Sequence, residues 1–157
     1  MTYYNILYKY GVSRFAADMA ERGLRGSIVP DLPPEEGEEY LQSMEEQGLA
    51  PIFIFSPTTP DKRMSYLASF AKGFVYCVAR KGVTGADTSF SDQLQGYMAR
   101  CRQATDLPLA LGFGVKEKAD IDFLRGKADI AVIGTQTIRV MEQDGVGAVG
   151  DFITGLR

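Results

Sequence analysis

Apolar positions along this chain fall into two alternating rhythms. Short, continuously apolar runs cover residues 26–30, 50–55, 73–79, 107–111 and 128–133. Runs of this length without a polar alternate are those of parallel strands covered on both faces. Between them the spacing is helical. Residues 12–22 place Phe15, Met19 and Ala20 on one face, with Gly23 as the stop. Residues 34–47 open on prolines and acids and end at Gly48, as a helix does. Residues 60–70 bring Met64, Leu67, Ala68 and Ala71 to one side as core. Further helices are expected from Ser89 or Ser91 to about 104, over 116–125, over 135–143 and over 146–156. Residues 1–4 look like the end of one more strand. Strand followed by helix, repeated five times, predicts an α/β fold with a parallel sheet, its strands adjacent in chain order. A complete eight-unit barrel takes about 250 residues, roughly 31 per unit. The 157 residues here therefore predict a partial (β/α)8 (TIM) barrel of about five units, as one domain over 1–157.

Composition narrows the function. A hydrophobic fraction of 45 %, a charged fraction of 24 % and a net charge of −3 describe a soluble globular chain. No basic run tracks nucleic acid, and no apolar run approaches membrane-spanning length. Residues 1–5 carry neither the basic nor the apolar part of a signal peptide. Cys77 and Cys101 lack metal-like spacing and read as reduced thiols, so a cytoplasmic location and no metal are expected. The run Glu35, Glu36, Glu38, Glu39 reads as a solvated helix start favourable to the dipole. There is no histidine. Proton transfer must then fall to Asp, Glu, Lys, Tyr or water, and neither thiol has a histidine to activate it.

The candidate chemistry lies in three glycine-bearing turns, each after a predicted strand: Gly82-Val83-Thr84-Gly85, Gly112-Phe113-Gly114 and Gly134-Thr135. Glycine lets a ligand reach main-chain N–H groups that a Cβ would shield. Helix N-termini that follow such turns favour anions. Each turn alone is equally a tight strand-to-helix connection. Three in strand order point to a shared phosphate pocket.

With these residues the sequence resembles the α subunit of tryptophan synthase, a (β/α)8 barrel. The segments that carry the resemblance are Met1-Thr2-Tyr3-Tyr4-Asn5, Pro30-Asp31-Leu32-Pro33, Ala50-Pro51-Ile52-Phe53, Gly73-Phe74-Val75-Tyr76, the three glycine turns with Val115, and Ile133-Gly134-Thr135. Their order and spacing match the C-terminal part of that subunit, from the end of the third barrel strand. The resemblance implies a lyase of tryptophan biosynthesis. Its retro-aldol reaction cleaves indole-3-glycerol phosphate to indole and glyceraldehyde 3-phosphate. It implies that Gly85, Gly114, Gly134 and Thr135, with the main chain of Phe113, hold the phosphate. Tyr76 would face the substrate, though a tyrosine in a strand is as readily a core residue. Thr84 would sit in a loop that closes over the site, with Arg80 beside it at the surface. Where Thr135 stands the family usually has serine, which keeps the hydroxyl. Asp31 supports the site or the subunit interface, or else only caps a local turn.

The family's two essential carboxylates lie on and after its second strand, and no matching Glu/Asp pair occurs here. The chain alone is therefore expected to be inactive or nearly so. No cofactor is implied for the α part; the partner β subunit uses pyridoxal phosphate. The alternatives are a non-catalytic phosphate-binding or subunit-docking chain and, more weakly, another sugar-phosphate enzyme on the same barrel. An incomplete sheet would leave open edges, which invite self-association. It would also uncover interior residues such as Ile28, Ile52, Val75, Leu109 and Val132 or their neighbours.

Overall fold

A computed structural model describes residues 1–79, 87–112 and 114–157, with the backbone alone over 87–91. Two helices open the chain, α1 (Tyr4–Tyr10) and α2 (Val12–Glu21). Strand β1 (Gly26–Ile28) follows, then a 3₁₀ turn (Pro34–Glu36) and α3 (Glu38–Glu46). Next come β2 (Ala50–Ile52), β3 (Ile54–Phe55) and α4 (Asp61–Ala68). The second half alternates β4 (Val75–Val78), α5 (Asp87–Ala104), β5 (Leu109–Gly112), α6 (Lys118–Leu124) and β6 (Ile130–Val132). It ends with α7 (Thr135–Asp144) and α8 (Gly147–Gly155).

All described strand pairs are parallel. β1 pairs with β2, and β3, β4, β5 and β6 form a second sheet in that order. Only Phe53 separates β2 from β3, and its carbonyl accepts the Tyr76 N–H at 2.9 Å. The 50–55 run thus pairs with β1 through its first half and with β4 through its second. Spatial order follows chain order, as expected of a right-handed βαβ succession.

The main core fills the space between this sheet and its helices. Phe55, Val75, Cys77, Leu109 and Leu111 from the strands pack with Met64 and Leu67 of α4, Leu94, Met98 and Cys101 of α5, and Leu124 of α6. A second cluster joins Leu7, Val12, Ala16 and Met19 to Tyr40, Met44 and Leu49. Phe55, Met64, Leu109 and Leu111 are wholly buried. Cutting any one back to alanine costs about 2–5 kcal/mol.

Several expectations need correction. Residues 1–4 form no strand; the chain is helical from Tyr4, although Thr2 N–H still donates to the Ile28 carbonyl at 3.0 Å. Only Leu7 of α1 is buried, so that helix carries no apolar period to read. The helix expected over 34–47 is split at Gly37. α5 begins at Asp87, so Ser89 and Ser91 lie inside it rather than capping it; an aspartate at the start suits the helix dipole. Val75 and Leu109 are wholly buried against the helices, not uncovered as interior residues, and Ile28 is buried too. The opposite face is built from the alternate positions: Ile54, Tyr76, Ala110 and Ile130 stand in one register row. It is this row that loses cover toward the last strand, where Ile130 is 41 % exposed.

Candidate functional site

The C-terminal ends of β4, β5 and β6 and the start of α7 enclose a cavity of about 390 Å³. Tyr76 lines it from β4, Gly112, Gly114 and Lys116 from the end of β5 and its turn, and Val132, Gly134, Thr135 and Arg139 from β6 and α7. Tyr76 reaches it because side chains alternate along β4. Its neighbours Val75 and Cys77 enter the core, so Tyr76 is turned to the other face. A methyl on Gly112 would overlap the Tyr76 hydroxyl and lie 3.0 Å from Cζ. The ring lies diagonally across β5 only because position 112 has no side chain.

Gly114 has φ +78°, a left-handed conformation that other residues adopt at a cost. The turn after it is fixed from both sides. Val115 is buried, and the buried Asp120 carboxylate accepts the Lys116 N–H at 2.9 Å and the Glu117 N–H at 3.2 Å. Asp120 also belongs to a capping box with Glu117 at the start of α6. At Gly134 an added Cβ would meet nothing within 4 Å. α7 starts at Thr135 with no side chain capping its N-terminus. Its first N–H groups, which have no partner inside the helix, open toward the cavity.

The electrostatics are one-sided. Among the described residues, Lys116 and Arg139 line the cavity and no carboxylate does. Neither cation makes an ion pair with a described residue, while Asp120 and Glu117 are engaged at the start of α6. Arg139 lies four residues after Thr135, on the same face of α7. Helical side chains lean toward the N-terminus, consistent with Arg139 and Thr135 lining the same cavity. A helix N-terminus, a hydroxyl and two cations unpaired among the described residues surround one space, an arrangement suited to an anion.

Of the residues expected at the site, Tyr76, Gly114, Gly134 and Thr135 come together here. Thr84, Gly85 and Phe113, with Arg80, lie outside the described residues. Asp31 does not join them. It borders a separate cavity of about 230 Å³ with Arg63 and Leu67, and its carboxylate accepts the Tyr4 N–H at 2.9 Å, capping α1. Gly112 as the seat of the tyrosine ring, Lys116 and Arg139 were missed. No local pattern in the sequence separates these two cations from other solvated ones.

The two free thiols are remote from this chemistry. Cys77 and Cys101 are wholly buried on the helix side of the sheet, beside the buried Tyr97 hydroxyl. The neighbouring Cys101 thiol and burial raise Cys77 far above the ordinary thiol range, so it is no thiolate at neutral pH. Among the described residues no acidic, cysteine or histidine cluster is disposed to hold a metal, and no helix is long and apolar enough to cross a membrane.

Comparison with known proteins agrees with this layout. The tryptophan synthase alpha chain of Desulforapulum autotrophicum is 64 % identical over 156 residues, covering 99 % of this chain and 62 % of that protein. That of Syntrophotalea carbinolica is 60 % identical over 157 residues, covering 100 % and 62 %. The chain thus spans about 62 % of the length of these curated relatives. Among solved structures, the tryptophan synthase subunit alpha from Campylobacter jejuni superposes with a TM-score of 0.89 at 31 % identity, covering 99 % of this chain and 62 % of that one. A chain of the tryptophan synthase complex from Pyrococcus furiosus gives 0.84 at 28 % identity, covering 99 % and 63 %. The strand order, the glycine turns and the barrel neighbours converge with a family model, tryptophan synthase alpha chain, that matches residues 1–150, and the chain belongs to that family.

Proposed function

We propose that these residues supply the phosphate-holding side of a lyase site that cleaves indole-3-glycerol phosphate to indole and glyceraldehyde 3-phosphate in tryptophan biosynthesis. One observation carries the reading: Tyr76, Gly114, Gly134 and Thr135, from three successive units, surround one cavity onto which the N-terminus of α7 opens. The phosphate is held by the first N–H groups of α7, the Thr135 hydroxyl and the turn at Gly114. Gly85 and the Phe113 main chain add to it by family resemblance. Tyr76 faces the remainder of the substrate. The open space at Gly134 admits a phosphate oxygen close to the backbone.

Retro-aldol cleavage also needs an acid to protonate the indole ring carbon and a base to take the side-chain hydroxyl proton. The ionisable side chains of the described lining are Tyr76, Lys116 and Arg139. None is a carboxylate, so binding and proton transfer are divided between these residues and a Glu/Asp pair of the complete barrel. On this reading the 157 residues bind phosphate esters without useful turnover. The cleavage uses no cofactor, and the indole passes to a pyridoxal-phosphate-dependent β subunit. The same absence of a lining carboxylate favours, as a second reading, a non-catalytic phosphate-binding or subunit-docking role.

Calorimetric titration with glycerol 3-phosphate tests the phosphate reading. Saturable binding is expected, weakened when Gly134→Leu fills the open space. No binding to a folded chain would overturn it. Separation of the two readings needs the indole assay with the rest of a family α chain supplied in trans: restored release supports the lyase, and none supports the second.

A further inference from the structure

The cavity holds more positive charge than a helix terminus alone provides. An uncapped N-terminus amounts to roughly half an elementary charge. Lys116 and Arg139 each add a whole one, with no lining carboxylate among the described residues to offset it. The acids that adjoin Lys116 in the turn are engaged elsewhere. Asp120 is buried under the turn and, with Glu117, serves the start of α6. That same bond from the Lys116 N–H to Asp120 fixes the backbone from which the lysine side chain rises. Arg139 is fixed by α7 itself, one turn beyond Thr135. The two cations therefore flank the cavity from different elements, β5–α6 and α7, and each is free of an internal counterion among the described residues.

We propose that Lys116 and Arg139 are ligand-binding residues of this cavity and make it selective for the dianion of a phosphate monoester over singly charged anions. This rests on the phosphate reading above and adds to it the charge state of the ligand and the side chains that read it. A monoester carries close to two negative charges above its second pKa of about 6, whereas a diester carries one. Backbone N–H groups bind both. Only the paired cations distinguish them, because the second charge gains a charge-assisted hydrogen bond that a diester lacks.

The test is titration of the full chain at pH 8 with glycerol 3-phosphate and with dimethyl phosphate, at low and at high ionic strength. The wild type is expected to bind the monoester much more tightly than the diester. Lys116→Gln and Arg139→Gln should each weaken the monoester on the order of tenfold at low salt. The double variant should lose most of the preference and most of the salt dependence, while diester binding changes little. Lys116→Arg keeps the charge and should keep the preference. Both side chains are exposed, so the fold, followed by circular dichroism, should be unaffected. A double variant that binds the monoester within twofold of wild type would overturn this inference and leave the phosphate reading standing. A folded wild type that binds neither ester would overturn both.

Discussion

The two ends of strands β5 and β6 use their charges in opposite ways. At the N-terminal end, Asp129 accepts the Leu109 N–H at 2.7 Å and pairs with Arg102, which also donates to the Leu107 carbonyl at 3.0 Å. Arg125 is bonded to Asp122, and Lys127 lies over the Phe123 ring. A cavity of about 570 Å³ opens there between α5 and α6, yet its cations already have partners. At the C-terminal end, Lys116 and Arg139 have none among the described residues, α7 is uncapped, and Gly134 faces empty space. One end spends its polar groups on its own fold; the other leaves them without a partner among the described residues. This is the division of labour of parallel α/β barrels, in which stability resides at the N-terminal face and function at the C-terminal face.

The largest expected effect concerns chemistry at the functional end. General acid–base catalysis contributes about 10²–10⁴ for each positioned group. With neither carboxylate in the lining, indole release by the 157 residues should fall at least 10⁴-fold, by that principle, below an intact enzyme. A fluorescence or colorimetric indole assay measures it. Turnover within tenfold of an intact enzyme would mean that the cavity has a proton-transfer group not yet recognised, with Tyr76 and Lys116 of the lining the first to replace.

The opposite end should respond in stability instead. Asp129→Ala leaves the Leu109 N–H without its acceptor at the start of a wholly buried strand residue. The cost should be about 1–3 kcal/mol, with phosphate-ester affinity unchanged. Urea unfolding and calorimetry on the same variant check both halves. A variant of normal stability but weak binding would reverse the comparison.

Gly112→Ala sharpens it from the functional side. The new methyl displaces the Tyr76 ring, which must swing away from β5 and into the cavity. Affinity for a substrate-sized phosphate ester should drop several-fold, about 1 kcal/mol, while inorganic phosphate, which need not touch the tyrosine, binds nearly as before. Equal losses for both ligands would place the tyrosine against the phosphate itself.

The same contrast explains what the sequence made legible. The five apolar runs revealed the strands and their order because continuous burial excludes polar residues from both faces. For that reason the runs could not reveal which face each residue takes. With no polar alternate to fix the phase, Val75 and Leu109 were assigned to the interior although they face the helices. α1 was hidden because a helix with one buried residue has no period. The glycine turns stood out since glycine is chemically distinctive, and four of the residues expected at the site meet around one cavity. Lys116 and Arg139 did not stand out, since an unpaired surface cation in sequence looks like any solvated one. Only the absence of nearby carboxylates in three dimensions separates them. Asp31 follows a strand and takes the capping role rather than the site: one of its oxygens accepts the Tyr4 N–H, a contact across 27 positions that no local pattern announces.

The smallest expected effect is the pH dependence of the stability end. The Leu109 N–H, and secondarily Arg102, hold the Asp129 carboxyl below the ordinary aspartate value of 3.8, against a smaller opposing effect of burial. A carboxyl depressed in the folded state binds its proton more readily when unfolded. Its contribution to stability is therefore complete above the unfolded value and disappears as pH falls through the lower, folded value. Asp129 is about half exposed, with a side-chain accessibility of 48 %, so salt and solvent screen the charge part of the effect. Asp129→Asn should accordingly lie below wild type in stability at pH 7, and the difference should narrow steadily as pH falls through the acid range below the ordinary 3.8. Glu35 and Asp122, lowered by Arg63 and Arg125, contribute to the same acid limb in both proteins and cancel from the difference. Urea midpoints of the pair, measured at intervals across that range in low and high salt, isolate the single carboxyl. A difference that stays constant with pH would show that Asp129 acts only as a neutral hydrogen-bond acceptor, and the N-terminal end would then owe its firmness to packing rather than to charge.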